Sequence, residues 1–570
     1  MAATFVVYWP AQRNGYVGED SALVLRDPLI RSWRLIPESF RHFLYIDVRP
    51  SDAYRPLQRL TYLADYAAWN TFPRGYHLSS IYLHLGAAVA LFLLAEKMLM
   101  GTSTELRCRI TAFAAAVVWA VHPMQTSAIT NIAGRAEPLA ALFAFAALGL
   151  GLHSLEKGKR AWIAALGAGL CLLAALLSKE SGLAALLVWW IMLAEQRAPR
   201  RVLLGWLVAS AAILTVYGTL RLSADRTAMP LQESMVWATA LLPSKQVLGG
   251  ALALCGIFGF WLVSKPRPPI FAAIAGAVAA YLLANIGNSE ERPLYLPTAF
   301  LAIASAFPCT RFCISKSTIR LLFFATIGVW TAWLGFNTWR QQADWLDERT
   351  FLVRAIEKSK ASASIRVRMG KLEASERRDD LAVEQFRLSL PAKIAQSLGS
   401  LNPTGANSLG GSPLDHSAAT AEALVGIASS SLGLRDFQTA DTSLDLLQKL
   451  GTRPIECLLL RAALLRQRDA ANPLPLLEEA SAAAPRLWPV QKRYFLTLAD
   501  RQTPEAAVEK LRAFLSVQPF RADSWKTLGE LLSRTRDLDG AARAFEQAVR
   551  LDVHDGESRA RLAILQRMPR

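Results

Sequence analysis

Five stretches of this chain set ionisable side chains against apolar runs, and their residue types suit one kind of chemistry. Glu19 and Asp20 are adjacent in NGYVGEDSALVL, and Tyr54 and Arg55 follow in AYRPLQRL. His122, Arg135 and Glu137 punctuate VHPMQTSAITNIAGRAEPLAALFAF, and Ser178, Lys179 and Glu180 interrupt LLSKESGLAALL. Glu291 and Arg292 stand just before an apolar run in NSEERPLYLPTAFLAI. Ionisable groups bordering membrane-length apolar runs are costly and mark functional sites. A guanidinium matches phosphate oxygens bidentately, and a carboxylate takes a proton from a hydroxyl. The mixture suits a polyanionic head group beside a proton-abstracting carboxylate. Taken singly, Glu137, Lys179 or Glu291 is equally well read as an interhelical ion-pair partner. Taken together on one face, the set points to function.

The elements that must position these residues are membrane helices. Of the 570 residues, 52% are hydrophobic, and the long apolar runs lie between Leu78 and Phe336, whereas charge concentrates after Trp339. A helix crosses the ~30 Å hydrocarbon core with about 20 residues. Spans are expected near 78–97, 110–123, 137–154, 161–178, 182–196, 202–220, 247–263, 269–286, 297–310 and 320–337. With a partial span at the start, the total is about eleven. The net charge of +17 would fit a nucleic-acid partner, but the basic residues cluster in short loops between apolar runs. Lys97/Arg107/Arg109, Lys157/Lys159/Arg160, Arg197/Arg200/Arg201, Lys265/Arg267 and Arg311/Lys316/Arg320 fall on every second connection, which marks the cytoplasmic side and excludes nucleic acid. The polar stretches above share the opposite side, and an odd number of spans places the segment after Trp339 there too. No signal peptide with a small-residue cleavage site is visible, so insertion rests on the spans. The apolar residues Ala2–Trp9 rise only about 12 Å as a helix, so the missing half-span is expected upstream of Met1.

The last third reads as a helical repeat. In ADSWKTLGELLSRTRDLDGAARAFEQAVRLD, Trp525, Leu528, Gly529, Ala541, Phe545 and Ala548 have the spacing of a tetratricopeptide unit of about 34 residues. Gly529 and Ala541 let two helices approach, and Trp525 and Phe545 fill the space alongside. The same steps recur at Gly370, Ala382, Phe386 and at Ala428, Ala440, Leu444, with degenerate units near 454–484 and 487–518. A Gly/Ser/Asn/Pro linker at 401–416 separates the first unit from the rest. Stacked helical hairpins present an extended concave surface for peptides or proteins. The six cysteines are scattered; Cys309 and Cys313 form a CxxxC with no second pair, which is small apolar filler near a helix end.

The expected fold is therefore all-α: a polytopic membrane domain over 1–339, connecting helices and a first repeat over 340–400, the linker at 401–416, and a tetratricopeptide-repeat domain over 417–570. Taken in order, NGYVGEDSALVL, YRPL, HLSSIYLH, the HP…T…GR.E loop, SKE, ERPLYLP and WRQQADWLDERTFLVRAIEKS, followed by repeats, resemble the transmembrane and tetratricopeptide-repeat O-mannosyltransferase family. That family belongs to the GT-C class of glycosyltransferases. The resemblance covers nearly the whole chain. It implies a polyprenyl- or dolichyl-phosphate sugar as donor and transfer of the sugar, mannose, to a hydroxyl, often Ser or Thr of a protein, at the lumenal or periplasmic face. It maps the catalytic acidic pair onto Glu19-Asp20, with Asp20 favoured as base over Glu19. It maps donor-phosphate binding onto Arg55, Arg135, Lys179 and Arg292, with Tyr54, His122, Glu137, Glu180 and Glu291 in support. The pair begins with Glu where Asp is usual, and the first span is short. The phosphate leaves with its charge already formed, so no general acid is needed, and inversion with no cofactor or metal is expected. The Ala/Arg-rich composition points to a bacterial inner membrane, with the repeats periplasmic and free to bind acceptor or partner. A lipid or glycan acceptor is an alternative to protein, and a non-catalytic membrane scaffold is the rival to an enzyme.

Overall fold

The computed structural model describes residues 2–46, 53–156, 158, 160–224, 270–284, 294–312, 317–359, 362–398, 413–468 and 471–567. Among these, every regular element is an α or 3-10 helix. The chain divides into two units, Met1–Leu346 and Asp347–Arg570. The helix Ser317–Gln341 runs past the 339/340 boundary expected from composition, and a 3-10 turn at Gln342–Trp345 folds back. There the Asn14 side-chain amide donates to the Gln342 carbonyl (3.5 Å) and the Gly15 N–H to the Leu346 carbonyl (2.8 Å). These bonds tie residues 340–346 to the first unit.

In the first unit, Pro73–Leu99, Ala133–Ser154, Ala161–Ser178 and Arg200–Ser223 are long and apolar enough to cross a membrane. Glu105–Ala120 and Pro123–Thr130 make a fifth if read as one span bent by 54°. The bend follows from Pro123: a proline disfavours helical backbone in the residue before it, and His122 is extended at φ −71°, ψ 135°. Among the described residues, four of the expected eleven spans, or five, meet this length and apolarity. Leu183–Glu195 has 13 residues, a rise of about 20 Å, which is short of the ~30 Å core. Ile270–Ala284 has 15 residues and Ala2–Tyr8 has 7, while the span expected at 247–263 lies outside the described residues. Buried Ala112, Ala116, Ala140 and Ala144 permit close helix approach, and Trp119 meets Tyr295 edge-on at 4.9 Å. Large apolar side chains such as Trp162, Leu166, Leu207 and Val208 face outward, as lipid-facing helices require.

The second unit is a stack of tetratricopeptide-like helical hairpins. Ala363–Ser375 pairs with Asp379–Leu388, Pro413–Gly433 with Phe437–Lys449, and Pro454–Arg468 with Leu474–Ala483. Trp488–Arg501 pairs with Pro504–Val517, Ala522–Arg534 with Leu538–Leu551, and Gly556–Arg567 closes the series. Turns recur with the same chemistry. Arg435 and Arg536 take the left-handed conformation (φ 58° and 62°), and Asp436 and Asp537 then cap the next helix by accepting from Thr439 and Gly540 N–H. Residues 401–412 of the expected linker lie outside the described residues, and 413–416 are already helical. The repeats on either side of that stretch share one core. Phe386 is its pivot, because a Cβ at Gly370 would stand 2.6 Å from the ring and one at Gly426 only 2.3 Å. Gly426→Ala should therefore overpack this site and destabilise the repeat unit by about 1–3 kcal/mol, despite a better helix propensity. Gly556→Ala, which meets nothing within 4 Å, should not. Thermal unfolding of the detergent-solubilised chain distinguishes the two.

Candidate active site

The first loop is folded by one buried guanidinium. Arg59, at 0% exposure, donates through Nε to Asp27 Oδ2 (2.9 Å) and through its Nη groups to the carbonyls of Ser39 (3.3 Å), His42 (3.0 Å) and Phe43 (2.7 Å). Asp27 also caps the turn Pro28–Ile30 by accepting from Leu29 N–H at 2.8 Å. Arg59 projects from the helix Pro56–Trp69, so the loop is drawn over the start of that helix. Proline at the helix's first position costs no hydrogen bond, since that N–H would be unpartnered anyway.

A second buried guanidinium joins the turn before Ala136 to the helices Pro56–Trp69 and Pro73–Leu99. Arg135 meets Asp65 (2.5 Å), Ser80 Oγ (3.2 Å), Thr61 Oγ1 (3.2 Å) and the Tyr76 carbonyl (2.5 Å), and it lies 4.7 Å from the Tyr62 ring centre. Next to it, Ala133 N–H donates to Asp20 Oδ1 (2.7 Å), while Val17 N–H donates to Asp20 Oδ2 (3.1 Å). Asp20 is itself 0% exposed. Of the residues assigned to catalysis and phosphate binding from sequence, Asp20 and Arg135 are thus engaged inside the protein. Both hold loops together.

The remaining candidates form a more accessible set. Tyr45 donates its hydroxyl to Glu19, which is half-buried. Arg55 Nε donates to Glu180 Oε2 at 3.1 Å, and Tyr54 N–H donates to Glu180 Oε1 at 3.3 Å. Arg221 Nη1 reaches Glu180 Oε1 at 3.5 Å and the Tyr217 hydroxyl at 3.0 Å. Lys179 pairs with Glu137. Glu180 thus joins Arg55 and Arg221 in one charged group, and its neighbour Lys179 adds the pair with Glu137. Arg55, Arg221 and Lys179 side chains keep 21%, 28% and 15% of their surface, which leaves guanidinium and ammonium edges for an incoming anion. His122 caps the turn Pro123–Gln125 by accepting from Met124 N–H at 3.2 Å. Glu291 and Arg292 lie outside the described residues. Among the described residues, no group of three or more His, Cys, Asp or Glu converges as a metal ligand set.

No protein-family model matches the chain. Sequence comparison does find relatives. Protein O-mannosyl-transferase Tmtc1 of Drosophila melanogaster is 30% identical over 192 residues, covering 33% of this chain and 21% of that protein. Protein O-mannosyl-transferase TMTC2 of Homo sapiens is 34% identical over 139 residues, 24% of this chain and 16% of its own length. The chain is a distant homologue of these O-mannosyl-transferases. Its aligned stretch spans about a fifth of the length of these curated relatives. Among solved structures, a tetratricopeptide-repeat protein of Thermus thermophilus is 18% identical with a TM-score of 0.26, over 36% of this chain and 100% of that one. A second such protein, YrrB, is 15% identical with a TM-score of 0.24, over 38% and 98%.

Five residues that organise this homologue's candidate site are absent from the expected set: Asp27, Tyr45, Arg59, Asp65 and Arg221. Arg59 carried a local signal, standing one helical turn after Arg55 in YRPLQRL. Asp27 carried another, as an aspartate preceding a proline. Tyr45 and Arg221 carried none, since each reaches its carboxylate across a long stretch of sequence.

The Glu180 carboxyl has a pH consequence. Burial pushes its pKa up, but Arg55 beside it, with Arg221 and Lys179, more than cancels this and holds it below the ordinary value. A carboxyl depressed on folding contributes stability above its unfolded pKa of about 4.3 and loses it as the pH falls through the folded value. Wild type should therefore outlast Glu180→Gln in thermal unfolding at pH 7. The difference should shrink as the pH is taken below about 4.

Proposed function

We propose that the chain is an integral-membrane glycosyltransferase that moves mannose from a polyprenyl- or dolichyl-phosphate donor to a hydroxyl, Ser or Thr of a polypeptide, on the non-cytoplasmic face. The observation that carries this reading is the meeting of Arg55, Glu180 and Arg221 from three separate stretches, with Lys179 next to Glu180 and paired with Glu137; Glu19, held by Tyr45, is the half-buried acid of the first loop. The distant homology to protein O-mannosyl-transferases supplies the reaction class. Lys179 follows the end of the span Ala161–Ser178, Arg221 lies at the end of Arg200–Ser223, and Glu137 opens Ala133–Ser154. Arg221 reaches Glu180 and Lys179 pairs with Glu137, so in this reading these positions share a membrane face. The basic loops occupy the other face.

In this mechanism the acceptor oxygen attacks the anomeric carbon and its proton passes to a carboxylate. The bond from anomeric carbon to phosphate oxygen breaks, its electron pair stays with the lipid phosphate, and the configuration inverts. Arg55, Arg221 and Lys179 would hold the departing phosphate and stabilise its charge electrostatically. Glu19 is the better base. Both oxygens of Asp20 already accept backbone N–H groups and the side chain is buried, so Asp20 is reassigned to holding the first loop against the turn at Ala133. Arg135 moves likewise from phosphate binding to scaffold, because burying an anion beside it would displace Asp65. The repeats, as stacked hairpins with an extended surface, would gather the acceptor polypeptide.

A scaffold reading draws on the pairing of Lys179 with Glu137 and of Arg55 with Glu180, since paired charges also serve fold alone. The two readings part on substitution. Glu19→Gln should cut mannose transfer from dolichyl-phosphate mannose to a Ser/Thr peptide by about 10²–10⁴-fold without lowering the melting temperature. Asp20→Asn should instead destabilise by about 1–3 kcal/mol. Full activity in Glu19→Gln would refute the assigned base, and full activity in both, with the phenotype intact, would favour the scaffold.

A further inference from the structure

Tyr45 combines three features that packing alone does not require. Its hydroxyl donates to the Glu19 carboxylate, which the proposed function makes the base. Its backbone sits at φ +64°, a left-handed conformation that a bulky aromatic residue rarely adopts. Its phenol also lies within the electrostatic reach of Arg55, one of the proposed phosphate contacts. Other described residues with positive φ, such as Asn70, Arg197, Arg377 and Arg536, stand where a helix ends, a usual place for that conformation. Tyr45 does not; it lies in the irregular stretch after the helix Ile36–Arg41.

The surroundings hold the unfavourable conformation in place. Arg59 takes the carbonyls of His42 and Phe43, at 3.0 and 2.7 Å, and Leu44 N–H donates to the Ala53 carbonyl at 3.0 Å. The three residues before Tyr45 are therefore pinned, and the chain can deliver the phenol toward Glu19 only by turning through the left-handed region. The Tyr45 ring, 7% exposed, belongs to the same core cluster as Leu23 and Val24, from the short helix that begins directly after Glu19. Backbone strain kept in this way by the surrounding structure is characteristic of functional sites.

From this we infer that Tyr45 is a positioning residue that aims the Glu19 carboxylate at the acceptor hydroxyl. The inference rests on Glu19 being the base. The phenol fixes where one carboxylate oxygen lies. A carboxylate on a flexible stem can sample several rotamers, and a displacement of about 1 Å at a reacting group costs up to 10²-fold in rate.

Tyr45→Phe keeps the ring and the backbone constraint and removes only the donor. In the full-length protein, with dolichyl-phosphate mannose and a Ser/Thr peptide, it should lower kcat by about tenfold and leave the donor KM within about twofold. In a Glu19→Asp background, whose shorter side chain withdraws the carboxylate from the phenol, adding Tyr45→Phe should cause no further loss. A full independent loss in that background, an unchanged kcat, or a loss carried by KM would overturn the positioning role while leaving Glu19 as base. Full activity in Glu19→Gln removes the base itself, and this inference with it.

Discussion

A guanidinium buried beneath the first loop sets the geometry on which the candidate site depends. Arg59 cannot shed its charge, and its N–H groups need acceptors once water is gone. It takes them from Asp27 and from three carbonyls between Ser39 and Phe43. Ser39 lies in the last turn of the helix Ile36–Arg41 and His42 and Phe43 follow it, so no helix ladder satisfies their carbonyls and the requirement is mutual. The result is a loop with a defined path over the helix Pro56–Trp69. Both Tyr45 and Arg55, which flank that path, reach acidic partners from it.

The charges of the membrane unit fall into two populations by what they do with their hydrogen bonds. Asp20, Asp27, Arg59, Asp65 and Arg135 are buried and paired within the protein. Glu19, Arg55, Lys179, Glu180 and Arg221 are also paired, but their side chains keep part of their surface. The buried set fixes the relative positions of the first loop, the turn at Ala133 and the helix Pro73–Leu99. Against that fixed frame, the accessible set can be organised before any substrate arrives, which is how electrostatic stabilisation avoids reorganisation cost. The repeat unit follows a simpler logic, in which small residues on one helix admit an aromatic ring from the next. Phe386 between Gly370 and Gly426 shows that logic bridging the stretch once expected to be a linker.

The helical class, the repeat spacing and the polar stretches at span ends were all legible in the sequence. Periodicity and apolar run length depend on local composition, and local composition decides whether a segment forms a helix. The number of spans was less legible. Leu183–Glu195 forms almost within its expected bounds of 182–196, yet at 13 residues it is shorter than a usual span.

Residue type and order alone determined that carboxylates, guanidiniums and an ammonium would meet apolar helices at a few places, and of which chemistry they were capable. Which member of each pair is buried and which keeps part of its surface was decided only by the tertiary structure. Glu19 and Asp20 are neighbours of the same charge, and no pattern around them separates their roles. The separation arises because Ala133, more than a hundred residues away, donates its N–H to Asp20, while Tyr45 donates its hydroxyl to Glu19. Hydrogen bonds across such distances depend on where loops are held in space. Here buried Arg59 and Arg135 hold them.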